Sequence, residues 1–507
     1  MPETILRRVL KAPVYDVAEQ TPLEPAPLIS KRVRNQVWLK REDLQPVFSF
    51  KLRGAYNCLY HLTDQQKQRG VIAASAGNHA QGVALAATKM GIKATIVMPR
   101  TTPTIKVDSV RNRGGEVVLF GDAYDEAAQH AQQLCQENGY TYIPPYDDMD
   151  VIAGQGTIAL EMLRQAKPFD VIFIPVGGGG LIAGIAAVIK QVAPETRIVG
   201  VEPEDAACMT AALKANSRVK LDSVGIFADG VAVAQAGEIP FRIAQSCVDE
   251  MVTVKTDEIC AAVKDIFQET RVISEPAGAL ALAGMKKFVT EKGVADLKLA
   301  VIVSGANMNF DALRYISERT EIGEKRESIF AVTIPETPGS FKQFCELLGD
   351  RRAITEFNYR YSDEDSAVVF VGVRTEGGVA EKEQLVEQLK KCQYDLVDLS
   401  DDEMAKLHLR HMVGGHAHGV AHELLYRFQF PERPGALLQF LSQMSEEWNI
   451  SLFHYRNHGA AYGRVLVGVQ VPPHQQQQFE DYLNTLGYPF FAEQDNPGYQ
   501  LFLRPVD

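Results

Sequence analysis

The sequence has no Cys-x-x-Cys pair; its seven cysteines, Cys58, Cys135, Cys208, Cys247, Cys260, Cys345 and Cys392, are scattered and odd in number. A disulfide framework or a zinc site is therefore not expected, and buried thiols in a reducing compartment are. Positive charge is also short, because a net charge of −12 leaves no excess of Lys and Arg to line a nucleic-acid groove. Long apolar runs are missing too: no stretch of about 18 uncharged apolar residues occurs, so a membrane span is not expected. The opening residues Met1-Pro2-Glu3-Thr4-Ile5-Leu6-Arg7-Arg8 lack the apolar centre of a secretion signal. These absences point to a cytoplasmic enzyme acting on a small molecule, with neither nucleic acid nor membrane as partner. At 507 residues and 46% hydrophobic content, the chain has material for about three domains.

What is present is a βα alternation. Val71-Ile72-Ala73-Ala74 leads into a helix starting near His79, residues 94–98 lead into one over 104–110, and residues 116–120 into one over 124–135. This order predicts an α/β region of mostly parallel sheets, covered on both faces, with ligands at the carboxyl ends of the strands. Gly177, Gly178, Gly179 and Gly180 stand between the apolar run 171–176 and the helical pattern 181–187. Four residues without Cβ let backbone N–H groups converge on an anion at a positive helix end, which is a phosphate cradle; a flexible turn is the alternative for a glycine run taken alone.

Three other segments accompany it. Trp38-Leu39-Lys40-Arg41-Glu42-Asp43 is followed by Ser49-Phe50-Lys51-Leu52-Arg53-Gly54-Ala55; then comes Ser75-Ala76-Gly77-Asn78-His79-Ala80-Gln81-Gly82; and the strand-like run 299–303 ends in Ser304-Gly305-Ala306-Asn307. Together and in this order, these pieces closely resemble the fold type II pyridoxal-phosphate enzymes, the family of tryptophan synthase β and the serine/threonine dehydratases, over roughly the first 320 residues. The resemblance implies pyridoxal 5'-phosphate as cofactor. It makes Lys51, preceded by Phe50, the lysine that bonds the cofactor and serves as base at the substrate Cα. It gives Asn78 to the ring hydroxyl, Gly177 to Gly180 and Leu181 to the phosphate, and Ser304 to the pyridine nitrogen.

Lysine suits the first role because a desolvated ammonium gives up its proton readily. A serine hydroxyl can pair with an unprotonated nitrogen, a weaker electron sink that favours β-elimination over transamination. Ser75, Ala76, Gly77, Asn78 and His79 lie at a helix N-terminus, a seat for the substrate's α-carboxylate. Ser75 also reads as an N-cap, and the His79 ring reads as a packed helix residue rather than a general acid. The leaving hydroxyl needs a proton, for which the bound phosphate is the first choice and Lys51 the second.

Past a charged stretch at 319–327, read as a solvated linker, the chain repeats itself. Pro431 follows Pro335, Tyr455 follows Tyr359 and Gly468 follows Gly372 by the same 96 positions, so the tail is a duplicated module. Each copy reads as strand, Pro-Gly turn, helix, strand, strand, helix, strand, the ferredoxin-like βαββαβ order. In the first copy the strands fall at 329–334, 354–361, 367–373 and 394–399, and the helices at 340–348 and 380–390. The order resembles ACT-like regulatory modules, with an oligomerisation module as the alternative. The expected division is a catalytic region 1–320, a linker 321–327, a first module 328–400, a connector 401–422 and a second module 423–494.

Within the resemblance, two such copies mark the biosynthetic threonine deaminases. That implies conversion of L-threonine to 2-oxobutanoate and ammonia as the first step towards isoleucine, with isoleucine inhibiting, valine opposing it, and a homo-oligomer, specifically a homotetramer. Phe357-Asn358-Tyr359 and Phe453-His454-Tyr455 are the candidate walls of the effector pockets. A serine-preferring dehydratase remains open, as does a regulatory amino-acid-binding protein with a vestigial catalytic domain, against which intact Lys51 and Ser304 argue.

Overall fold

The computed structural model describes residues 2–335, 344, 347–348, 354–358, 366–375, 377–411, 421–431, 440, 444, 448–456 and 462–504. It divides into two compact units, Met1–Ile316 and Ser317–Asp507.

The first unit holds strands β1 (Leu23–Pro25), β2 (Gln36–Arg41), β3 (Val71–Ala74), β4 (Ala94–Met98), β5 (Glu116–Leu119), β6 (Thr141–Tyr142), β7 (Val171–Pro175), β8 (Arg197–Pro203), β9 (Glu250–Val254) and β10 (Lys298–Val303). They form a six-stranded sheet in the order β1-β2-β10-β7-β8-β9 and a four-stranded sheet in the order β5-β4-β3-β6. Every pairing is parallel except that of β1 with β2 at the edge. The expected βα alternation thus folds as parallel sheets. Every residue of β3, β4 and β7 is buried, which is why these segments read as unbroken apolar runs rather than alternating ones. Separate apolar cores, one including the Gly180–Val192 helix and the other the Pro276–Lys292 helix, flank the six-stranded sheet.

The helix Lys51–Tyr60 is held by backbone proximity and by charge. A Cβ at Gly154 would lie 2.5 Å from the Arg53 carbonyl oxygen, so only glycine lets the helix Met149–Gln165 approach this closely. Arg53 lies fully buried; its guanidinium donates to both carboxylate oxygens of Glu42 at 2.8 and 2.9 Å, to Glu161 at 2.6 Å and to Thr157 at 3.1 Å. Lys40, equally buried, donates to Glu161 at 2.6 Å. Two cations and two carboxylates therefore balance inside the core, the condition under which buried charge is tolerated.

The second unit carries β11 (Glu327–Pro335), β12 (Ile354–Asn358), β13 (Ser366–Arg374), β14 (Asp395–Asp398), β15 (Glu423–Pro431), β16 (Asn449–Arg456), β17 (Tyr462–Gln470) and β18 (Phe490–Ala492). The orders β12-β13-β11-β14 and β16-β17-β15-β18 are the same, and all pairings are antiparallel. Even an irregularity recurs: the register slips between Ile354 and Glu356 in one sheet and between Ile450 and Leu452 in the other. The helices Val379–Lys391 and Gln476–Leu486 occupy matching places. Most of the expected helix 340–348, the turns Pro338-Gly339 and Pro434-Gly435, and Tyr359 fall outside the described residues.

The stretch read as a solvated linker is ordered differently. Residues 321–323 finish the helix Ala312–Gly323, and β11 already begins at Glu327. Two of its charges, at its ends, are paired rather than solvated, while Lys325 and Arg326 between them are exposed: Arg410 reaches Glu327 at 2.8 Å, and Arg319 reaches Glu403 through both terminal nitrogens at 2.8 and 2.7 Å. The expected connector 401–422 contains the helix Glu403–Leu407, whose Glu403 also accepts from Arg464 at 2.7 Å. A further helix, Pro497–Phe502, follows residue 494.

Candidate functional site

Three motifs sit where the strand order predicts, with Ser75 directly after β3, Gly177 just beyond β7 and Ser304 directly after β10. The chain around Lys51 is drawn to them by backbone contacts. Phe50 N–H donates to the Ser304 carbonyl at 3.3 Å, and Ser49 forms a bridge with Gly305. At Gly82, in the helix Asn78–Met90, a Cβ would lie 3.0 Å from Leu52 N and 3.1 Å from the Lys51 carbonyl carbon, so the two helices carrying Lys51 and Asn78 touch at their N-terminal ends.

Lys51 is the first residue of its helix, and its Nζ donates to the Pro145 carbonyl at 2.9 Å. Burial brings its pKa down to about 8 from the usual 10.5, against the pull of Glu275. Next to Pro145 is Tyr146, whose ring lies on the glycine run: a Cβ on Gly178 would fall 2.3 Å from the ring, and one on Gly180 would fall 3.0 Å from Tyr146 Cα. Gly179 has φ +94°, the left-handed region open to glycine, and is the N-cap of the helix Gly180–Val192. Leu181 is buried in the first turn. The row 177–180 therefore presents bare backbone and unpaired N–H groups at a helix N-terminus, which fits a phosphate.

Asn78 is buried at the start of its helix. Its Nδ2 donates to Glu275 Oε1 at 2.6 Å, and its Oδ1 accepts from Asn307 Nδ2 at 2.6 Å. The His79 ring, also buried, meets the Ile143 carbonyl at 2.9 Å; burial, and then the charge of Lys51, depress its pKa to about 3. It is neutral and committed to packing. Ser75 Oγ accepts from Gly77 N–H at 3.2 Å, and the N-cap is Gly77 rather than Ser75. Ser304 is buried, and its hydroxyl meets the Ala277 carbonyl at 3.2 Å.

Sequence reasoning passed over Glu275, Asn307, Pro145 and Tyr146. Asn307 stood inside a quoted motif without a role, and Glu275 is marked only as an acidic residue before Pro276 in a run of small residues. Among the described residues, no group of three or more His, Cys, Asp or Glu is placed to hold a metal ion. Among them also, no helix is long and apolar enough to cross a membrane.

The packing of Tyr146 on the glycines yields a prediction. Gly178→Ala should weaken binding of an added phosphate-bearing cofactor by at least about tenfold, because the methyl must displace either the ring or the cradle. Equilibrium dialysis checks it, and Gly178→Ala combined with Tyr146→Ala should recover part of the loss. Wild-type affinity in the single variant would show that the row is not under this constraint.

A family model described as pyridoxal-phosphate dependent enzyme matches residues 14–305, and one described as the C-terminal regulatory domain of threonine dehydratase matches 318–409 and 414–503. The L-threonine dehydratase biosynthetic IlvA of Escherichia coli (strain K12) is 54% identical over 498 residues, covering 98% of this chain and 96% of that protein. The chloroplastic biosynthetic threonine dehydratase of Arabidopsis thaliana is 52% identical, covering 98% and 84%. Among solved structures, the processed form of threonine deaminase isoform 2 from Solanum lycopersicum superposes with a TM-score of 0.62 at 51% identity, over 63% of this chain and 93% of that one. Maize serine racemase follows with a TM-score of 0.58 at 32% identity, over 62% and 95%.

Proposed function

This chain belongs to the biosynthetic threonine dehydratases, pyridoxal-phosphate-dependent enzymes with a C-terminal regulatory region, and we propose how its residues divide the conversion of L-threonine to 2-oxobutanoate and ammonia. When bound, pyridoxal phosphate supplies the electron sink for charge left at the substrate Cα. Gly177, Gly178, Gly179, Gly180 and Leu181 would hold its phosphate, and Asn78 would donate to its ring hydroxyl. The Ser304 hydroxyl, which donates to the Ala277 carbonyl here, would rotate from it to the ring nitrogen, and Phe50 leads into the lysine that would bond the cofactor. The single observation carrying the mechanism is the half-buried Lys51 amine held on the Pro145 carbonyl beside the glycine row, where desolvation draws its pKa down to about 8. Such an amine sheds its proton near neutrality and takes the one from Cα. The N–H groups opening the helix Asn78–Met90, with Ser75, Ala76, Gly77 and His79 around them, seat the α-carboxylate.

The regulatory region, on this reading, takes isoleucine as inhibitor, with valine opposing it, in a homotetrameric cytoplasmic enzyme. Two copies of one module, each with its own apolar core, supply two effector sites. Serine and threonine differ by one methyl, worth ~1–3 kcal/mol in a pocket, so kcat/KM for L-threonine is expected to exceed that for L-serine. Isoleucine should raise the apparent KM and make threonine saturation sigmoidal. A chain truncated after Lys325, ahead of β11, should keep the dehydration and lose the isoleucine response. Steady-state assays of both proteins check this; a folded truncated enzyme still inhibited by isoleucine would move the effector site into the first unit.

A further inference from the structure

Glu275 stands at the N-cap of the helix Pro276–Lys292 but does not cap it: its side chain makes no hydrogen bond to the helix's own N–H groups. An acidic N-cap ordinarily accepts from the first turn, so this carboxyl has been diverted. It is buried, and it accepts from Asn78 Nδ2 at 2.6 Å. The other end of the same amide is also taken, because Asn78 Oδ1 accepts from Asn307 Nδ2, which itself is anchored to the Val47 carbonyl at 2.7 Å. The Val47 carbonyl, which can only accept, fixes Asn307 Nδ2 as the end turned to Asn78; that nitrogen can only donate and an ionised Glu275 can only accept, so between them they dictate which end of the Asn78 amide is nitrogen. One N–H of Nδ2 remains uncommitted by these bonds.

We propose that Glu275 is a positioning residue: by accepting from Asn78 it fixes that amide so that an N–H, and not the carbonyl oxygen, faces the ring hydroxyl of pyridoxal phosphate. The inference rests on the reading of Asn78 as the ring-hydroxyl partner. An N–H stabilises an ionised ring oxygen, whereas a flipped amide would set oxygen against oxygen. The charged groups around Glu275 are Asp229, Lys106 and Lys51. Burial, and then the charge of Asp229, push Glu275 up to about 7, with Lys106 and the Asn78 bond opposing. Its protonation therefore changes near pH 7.

The test is cofactor retention and the absorbance spectrum of the full-length holoenzyme from about pH 6 to 9, in Glu275→Ala, Glu275→Gln, Asn78→Ala and the Glu275→Ala/Asn78→Ala double variant. Glu275→Ala and Asn78→Ala should each weaken retention about tenfold, the size of one hydrogen bond to a charged group, and shift the spectrum alike. The double variant should be no worse than Asn78→Ala, because the two act as one unit. Glu275→Gln, whose amide oxygen still accepts, should retain cofactor as the wild type does but lose the spectral step near pH 7. Additive losses, or a wild-type spectrum in Glu275→Ala beside an altered one in Asn78→Ala, overturn the proposal and leave the reading of Asn78 standing. Unchanged retention and spectrum in Asn78→Ala overturn that reading and the proposal with it. Should Glu275→Ala fail to fold, a spectral step near pH 7 persisting in Glu275→Gln overturns the proposal by itself.

Discussion

Replacing Lys51 with methionine is expected to lower turnover of L-threonine at least about a thousandfold, because one side chain both bonds the cofactor and moves the Cα proton. The same change should make the cofactor-free protein more stable. Lys51 titrates near 8 in the folded chain and near 10.5 when unfolded. Between those values the unfolded chain holds the extra proton, so folding stability rises with pH across that window and is lowest below about 8. Methionine escapes this cost; at pH 7 the gain should be on the order of 2–3 kcal/mol and should vanish above about 10.5. Thermal melts at several pH values, beside steady-state assays, check both halves. Near wild-type turnover would remove Lys51 from catalysis; a variant no more stable at pH 7 than the wild type would show that its amine is not desolvated.

Arg53→Met should have the opposite effect on stability. The guanidinium binds Glu42 twice and also reaches Glu161, Thr157 and the Glu19 carbonyl. Its loss leaves two buried carboxylates sharing Lys40, an uncompensated charge that costs about 3–5 kcal/mol. In calorimetry the first unit's transition should fall by about 10 °C. Burial raises the pKa of Glu42, but Arg53 outweighs it and holds the carboxyl below its usual range. Without Arg53 that carboxyl rises, so the deficit should shrink as pH falls and the surplus charge is protonated. A midpoint within a degree of wild type would mean that the cluster is solvated in the working protein. Because Arg53 lies one residue past Leu52 on the Lys51 helix, kcat should fall as well, with the cofactor still bound.

The parallel sheets were legible because β3, β4 and β7 are buried on both faces, which leaves a local trace of unbroken apolar residues. The glycine row and the neighbours of Lys51 were legible for a similar reason: short-range geometry forces residue types at adjacent positions. Glu275 escaped notice because its partner Asn78 is 197 positions away, and nothing near Glu275 announces that its side chain will forgo the helix it starts. The misread linker has the same origin. Arg319 looks like a solvated charge until Glu403, 84 positions on, is brought beside it. Local pattern reports which face of an element is buried; it does not report which distant charge will neutralise another.

The duplicated sheets also pose a problem of choice during folding. β11 and β15 meet near-equivalent neighbours, each flanked by the third and fourth strands of its own copy. On the ribosome the choice is made in time, since β11 to β14 emerge and can occupy both sides of β11 before β15 is made. Denatured whole chain loses that sequence of events, and all eight strands compete at once, so β11 can capture β17 and β15 can capture β13. β11 pairs with β13, and β15 with β17, through nine consecutive antiparallel partners without a slip, so such exchanged pairs are nearly as well matched as the correct ones, which turns inherited regularity into a source of off-pathway association on refolding.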